Sequence, residues 1–299
     1  MKPKGGTELM FEELQKRLPA SYFDKFSIFN YPSQADFSKK TVYWNQLSYD
    51  QEAVQFLNDL GYVDKIDYFV FVSYWQSEIY RKLFSIPSEK IKVIKNASIG
   101  VGYSLEKNEK TKICYTSTPW RGLNVLLSSW EKLKPQNCEL HVFSSTKIYG
   151  SEFSQQNEKN FDALYQKCND LENVIYRGFT DNETLRKDLC GFDLMAYPCT
   201  FEETSCISVI DALSAGLRVV TSSLGVLPET TEGWAKIYTF QSDFDRHVDL
   251  FSKELRNEVI RFKHGELDEE LKAQVANYKN KWSWDSRIKE WVSFLDEIS

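Results

Sequence analysis

Short apolar runs alternate with amphipathic stretches along the whole chain, and a chain patterned this way is confined to βαβ units and a mostly parallel sheet. The runs fall into two groups. Candidate strands Phe26–Phe29, Thr41–Trp44, Tyr68–Val72 and Lys92–Ile94 occupy the first third, with amphipathic segments near 8–18, 50–59 and 75–84 before or between them. The second group is Lys112–Tyr115, Leu140–Ser144, Val174–Tyr176, Leu194–Tyr197, Arg218–Thr221 and Lys236–Thr239, interleaved with predicted helices near 122–133, 158–168, 182–189, 205–215 and 246–262. Between the groups, residues 97–111 hold Gly100, Gly102 and a Lys/Glu/Asn cluster with little apolar content, the mark of a linker. A length of 299 residues accommodates the two α/β domains this implies, 1–98 and 99–284. In the tail, 285–299, Ile288, Trp291, Val292 and Leu295 repeat at helical spacing, which predicts a terminal helix that either packs across both domains and completes the first or is an ordinary amphipathic end helix on its own domain.

Composition narrows the class of partner. Net charge is −6, and Lys and Arg are interspersed with acids, so the chain lacks the basic footprint of a nucleic-acid binder. No apolar run approaches the ~18 residues that cross a bilayer, and no signal-peptide pattern opens the chain. The expectation is a cytoplasmic protein, with transient contact to a membrane surface left open. The six cysteines, Cys114, Cys138, Cys168, Cys190, Cys199 and Cys206, show no metal-ligand spacing, and most read as small core residues in a reducing compartment. His141 lies inside an apolar strand, while His247 and His264 sit in polar helical surroundings. Asp243-Phe244-Asp245 has the outline of a two-carboxylate metal motif, but at the start of an acidic helix such residues complement the helix dipole. No metal and no obligatory cofactor are expected.

The most informative stretch runs from Pro198 to Gly216. It follows the candidate strand Leu194–Tyr197, opens a helix with Thr204 and Ser205 as capping candidates, ends at Gly216 and leads into Arg218–Thr221, which completes a βαβ unit. Ligands of such sheets bind beyond the C-terminal strand ends, where a helix N-terminus offers N–H groups and partial positive charge to an anion such as a diphosphate. Glu203 falls in the loop before the helix. Asp211 lies two turns deeper, on the order of 12 Å along the axis at ~1.5 Å per residue. Two acids flanking an anion-binding helix end can meet the hydroxyls of one nucleotide sugar, although acids at this spacing also occur on solvated helix faces. Near the start, Gly5-Gly6 ahead of Thr7-Glu8 looks like a strand-to-helix glycine turn, with no room before it for the strand.

The segment from Glu203 through Asp211 to Gly216 resembles the signature of the family 4 (group 1) retaining glycosyltransferases, an acid, seven residues and a second acid between a strand and the Gly that ends the helix. Flanking text carries the same resemblance: Val174-Ile175-Tyr176-Arg177-Gly178-Phe179, Phe192-Asp193-Leu194-Met195-Ala196-Tyr197-Pro198, and Gly225-Val226-Leu227-Pro228-Glu229. Upstream, Val72-Ser73-Tyr74-Trp75-Gln76, Ile91 to Asn96 and Gly5-Gly6-Thr7-Glu8 are similar to the family's N-terminal domain. The resemblance implies a GT-B fold, two Rossmann-like domains facing across a cleft, here with a shortened N-terminal domain. It also implies a nucleotide-diphosphate sugar as donor and a hydroxyl acceptor on a glycan, lipid or protein glycan, with anomeric configuration retained and no metal.

Residue by residue, the resemblance implies that Glu203 meets the transferred sugar and is catalytic, and that Asp211 binds the ribose with a reach one methylene shorter than the usual Glu. Backbone amides of Thr204, Ser205 and Cys206 would face sugar or phosphates. Arg121, placed to contact the diphosphate bidentately, is the second catalytic candidate. Thr116 or Ser117 stands where the family carries an Arg, so only hydroxyl donors remain there. Arg177, Gly178 and Phe179 would pass the nucleobase, and Gly5, Gly6 and Thr7, counted with the donor-binding residues, would approach the phosphates or the acceptor from the opposite wall. Gln46, where many relatives place a His, and Trp75 are the acceptor-side candidates. Without an imidazole, the leaving phosphate oxygen takes the acceptor proton. Glu203→Ala is then expected to abolish transfer while leaving the fold intact. The same departures also fit a catalytically weak or inactive sugar-nucleotide-binding subunit of a glycosyltransferase complex, and a sugar-nucleotide epimerase is a third reading disfavoured by the shortage of histidines.

Overall fold

The structure, a computed structural model, describes residues 5–106 and 108–299. Two all-parallel sheets organise it. The N-terminal sheet consists of β1 (Phe26–Phe29), β2 (Lys40–Asn45), β3 (Tyr68–Phe71) and β4 (Ile91–Val93), in that spatial order. Its helices are α1 (Gly6–Arg17), α2 (Ala20–Lys25), α3 (Leu60–Lys65) and α4 (Tyr74–Leu83). The C-terminal sheet, β5 (Thr111–Tyr115), β6 (Cys138–Val142), β7 (Val174–Tyr176), β8 (Leu194–Tyr197), β9 (Arg218–Ser222) and β10 (Lys236–Tyr238), is ordered β10-β9-β8-β5-β6-β7. Helices α5 (Leu123–Leu133), α6 (Ser151–Asn157), α7 (Asp162–Asp170), α8 (Asn182–Leu189), α9 (Ile207–Ser214), α10 (Leu227–Thr231), α11 (Phe244–Lys263) and α12 (Asp268–Lys281) accompany it. The final helix, α13 (Trp284–Glu297), returns to the N-terminal sheet.

Strands of both sheets are short and nearly all apolar because helices cover their two faces. In β2, Val42 and Trp44 join one core with Met10 and Leu14 of α1 and with Trp284, Trp291, Phe294 and Leu295 of α13. Tyr43 points to the other face, into a separate core with Val54, Leu57, Phe69 and Tyr80. Trp291 is fully buried and meets Trp44 edge to face at 5.1 Å between ring centroids. The last helix therefore completes the first domain's core.

Two crossings join the domains side by side. The outbound chain at Ser98 pairs with the returning chain at Ser283, and the Ser98 N–H donates to the Trp282 carbonyl at 2.8 Å. In the C-terminal sheet the order reverses between β5 and β8, so the loops after these strands, 116–122 and 198–206, emerge together at one edge of the interdomain cleft. That is where a doubly wound sheet binds its ligand.

Several local expectations change. The amphipathic segment near 50–59 forms a 3-10 helix over Glu52–Asn58, and the predicted helix near 158–168 divides into a 3-10 turn over Glu158–Phe161 and α7. His247 is buried on the inner face of α11 against Tyr238 and Phe240, not in polar surroundings. Asp243 accepts from the Arg246 N–H and caps α11.

Candidate functional site

A cleft of about 430 Å³ separates the domains. The C-terminal wall contributes Thr116, Ser117, Thr118, Arg121, Ser144, Gly178, Phe179, Glu203, Thr204, Ser205, Cys206 and Asp211, and the opposite wall Gly5, Gly6, Thr7, Glu8, Gln46 and Asn96. Most of the residues singled out in the sequence thus line one space. Two do not. The Arg177 guanidinium turns to His141 Nδ1, at 3.3 Å from Nε and 3.2 Å from Nη2, because the chain after β7 carries it along the sheet toward β6. Trp75 sits at the start of α4, where its N–H and that of Tyr74 donate to the Glu229 carboxylate at 3.0 and 3.1 Å, a strut between the domains outside the cleft.

Glu203 is held by contacts local to the C-terminal domain. The loop 198–206 is fixed by hydroxyl-to-carbonyl bonds: Ser222 Oγ to Cys199, Thr230 Oγ1 to Ser205 and Thr200 Oγ1 to Trp120. Arg121 approaches because Gly122 lies so close to Pro198 that a Cβ would stand 2.0 Å from the Pro198 carbonyl oxygen, at a φ of +110°. Glu203 Oε1 accepts from Arg121 Nη1 at 2.7 Å and from the Tyr197 hydroxyl at 2.5 Å, while the guanidinium carbon lies 4.6 Å from the Phe201 ring centroid. Burial works against the charge on Arg121, but Glu203 outweighs it and keeps the guanidinium pKa well above its ordinary value.

Asp211 is buried in α9. Its Oδ1 accepts from Ser98 Oγ at 2.7 Å and its Oδ2 from Arg186 Nε at 2.9 Å. Burial raises its pKa, and Arg186 and Ser98 offset part of that rise. Arg186 and Ser98 escaped the sequence reading because both partners are remote in sequence, on α8 and in the linker. Thr204 and Ser205 do not cap α9. The loop extends to Cys206, which occupies the left-handed region at φ +59° as the N-cap, and no side chain caps the helix. Thr204 Oγ1 instead donates to the Gln46 carbonyl across the cleft at 2.9 Å. Gln46 in turn exchanges two side-chain bonds with Asn96, at 3.1 and 2.8 Å.

Polar atoms left over point to a polar ligand. Thr118 Oγ1, Ser144 Oγ, Ser205 Oγ and Arg121 Nε are buried without a protein hydrogen-bond partner, and all four residues line the cleft. Such atoms are rare in native interiors unless something else satisfies them. From the first domain, the N-terminus of α1 reaches across until Gly6 lies against Ile207, so close that a Cβ on Gly6 would stand 3.1 Å from Ile207 Cδ1. Among the described residues no three His, Cys, Asp or Glu side chains group as metal ligands, and no helix is long and apolar enough to cross a membrane.

Two Rossmann-like domains with a cleft at the switch point of the second define the GT-B architecture, and solved structures bear this out. Sucrose-phosphate synthase from Thermosynechococcus elongatus superposes with a TM-score of 0.68 at 14% identity, over 96% of this chain and 79% of that one. Anabaena Alr3699/HepE in complex with UDP and glucose gives 0.64 at 16% identity, over 87% and 72%. Residues 110–249 match the family described as glycosyl transferases group 1. A Klebsiella pneumoniae protein described as an uncharacterized 41.2 kDa protein in the cps region is 28% identical over 146 residues, 48% of this chain and 39% of that protein, so the likeness spans less than half of either.

Proposed function

We propose that the protein is a retaining glycosyltransferase that moves a sugar from a nucleotide-diphosphate sugar to a hydroxyl acceptor without a metal. The observation that carries the reading is the cleft wall in which the uncapped α9 N-terminus stands between Glu203 and Asp211, each bonded to an arginine, with unpartnered hydroxyls around it. In this reading the diphosphate lies at the α9 N-terminus and Arg121, the sugar hydroxyls meet Glu203, and the ribose meets Asp211. Gly178 and Phe179 flank the base. The acceptor oxygen attacks the anomeric carbon from the face on which the carbon–oxygen bond to the diphosphate breaks, and its proton passes to the departing phosphate oxygen. Positive charge and N–H dipoles fixed beforehand stabilise the negative charge that develops on that oxygen.

The test is a thermal-shift panel of UDP, GDP and ADP and their sugars, since a ligand of the native state raises its stability by RT ln(1 + [L]/Kd). One nucleotide series should raise the melting temperature of the wild type and do so less in Arg121→Met. No shift with any member refutes the donor site.

A further inference from the structure

We infer that the second substrate is an uncharged or amino-bearing sugar, recognised by Glu8, and that phosphorylated or carboxylated acceptors are excluded. The inference rests on the glycosyltransferase reading and specifies its acceptor. The two walls of the cleft differ in charge. The C-terminal wall holds Arg121 and Arg186, each matched by an acid. Among the described residues, the N-terminal wall contributes no Lys, Arg or His; it offers the Gln46, Gln51 and Asn96 amides, the Thr7, Ser48 and Tyr31 hydroxyls, and the Glu8 carboxylate.

Glu8 occupies a place on that wall, the first turn of α1, where an anion would otherwise be welcome. It is the third residue of α1, and its side chain folds back so far that a Cβ on Gly5 would stand 2.9 Å from Oε2. The other oxygen, Oε1, accepts from the Tyr31 hydroxyl at 3.2 Å. The partial positive charge of the helix start, which on α9 remains open, is therefore answered on α1 by the protein's own carboxylate. An acceptor phosphate or carboxylate placed here would meet Glu8 with no cation among the described residues of that wall to balance it, whereas a sugar hydroxyl or ammonium can donate to it. Lys95, the lysine beside Asn96, is engaged by Glu229 and Glu232 at 3.3 and 3.6 Å.

The experiment is saturation-transfer NMR on the full chain, which needs no turnover. The probes are methyl glucoside, galactoside, mannoside and glucosaminide against methyl glucuronide and glucose 6-phosphate. Neutral and amino glycosides should receive saturation and the anionic ones should not. Glu8→Gln preserves the back-folded contact with the helix start and should weaken glucosaminide binding about tenfold, the loss expected when a charge-assisted hydrogen bond becomes a neutral one. Glu8→Lys should admit glucose 6-phosphate. Binding of the anionic probes by the wild type, binding of no neutral or amino probe, or unchanged selectivity in Glu8→Lys overturns the inference. Failure of the glycosyltransferase reading would show separately, as absence of nucleotide binding in the thermal-shift panel.

Discussion

Replacing Glu203 tests the site and its packing together, and the structure changes what the substitution should do. Glu203 is 5% exposed and neutralises an Arg121 side chain that is 22% exposed. Removing one member of a buried ion pair costs ~3–5 kcal/mol; the partial exposure of Arg121 brings the expectation for Glu203→Ala to roughly 2–4 kcal/mol. A domain this size melts lower by a few degrees per kcal/mol, so the variant should lose on the order of 6–12 °C. The variant should therefore keep its fold with reduced stability. Glu203→Gln keeps an oxygen for the Tyr197 hydroxyl and gives up only the charge, so roughly 1–2 kcal/mol should be lost. The assay is calorimetric melting with urea denaturation, followed by turnover on whichever donor series binds. Activity should vanish in both variants while stability separates them. Glu203→Ala with stability within ~0.5 kcal/mol of wild type would refute the ion-pair argument, and Glu203→Gln with full turnover would refute the catalytic assignment.

Gly122→Ala places a methyl 2.0 Å from the Pro198 carbonyl in a left-handed backbone conformation and should destabilise by ~3 kcal/mol or more, with Arg121 displaced; an unchanged urea midpoint would contradict this. Trp291→Ala empties a fully buried site beside Trp44 and should cost ~3–5 kcal/mol, read as loss of cooperativity in the N-terminal domain by hydrogen exchange. His247 is pushed by burial from 6.5 down to about 4. Below the unfolded value the unfolded chain takes up a proton that the native state refuses, so the stabilisation is full above pH 6.5 and is lost as pH falls through about 4, up to ~3 kcal/mol. His247→Gln should flatten that acid limb of the stability curve.

Strand positions were legible because each buried run is short, apolar and bounded by polar turns. Helix α12 was not, although Leu271, Val275 and Tyr278 share its buried face, because that face also holds Gln274, whose side-chain NH2 donates to the Leu213 and Leu217 carbonyls of another segment. A polar residue in the seam conceals helical periodicity until its remote partners are known. The same distinction governs the site. Glu203, Asp211 and Arg121 could be picked out because local order around a strand end carries their meaning. Ser98, Arg186 and Glu8 could not, since their significance comes from residues up to 113 positions away, as with Ser98 and Asp211. Arg177 misled for the opposite reason: its neighbours Gly178 and Phe179 do line the cleft, and only the side chain leaves it.

The central claim, sugar transfer with retention in this cleft, is tested most directly by following the anomeric proton in time-resolved NMR of purified protein with the bound donor and a methyl glycoside. The account predicts loss of the donor signal, release of the nucleoside diphosphate and a new glycosidic proton whose coupling matches the donor's anomeric configuration. A product of inverted configuration, or a donor left intact by the wild type, would contradict it.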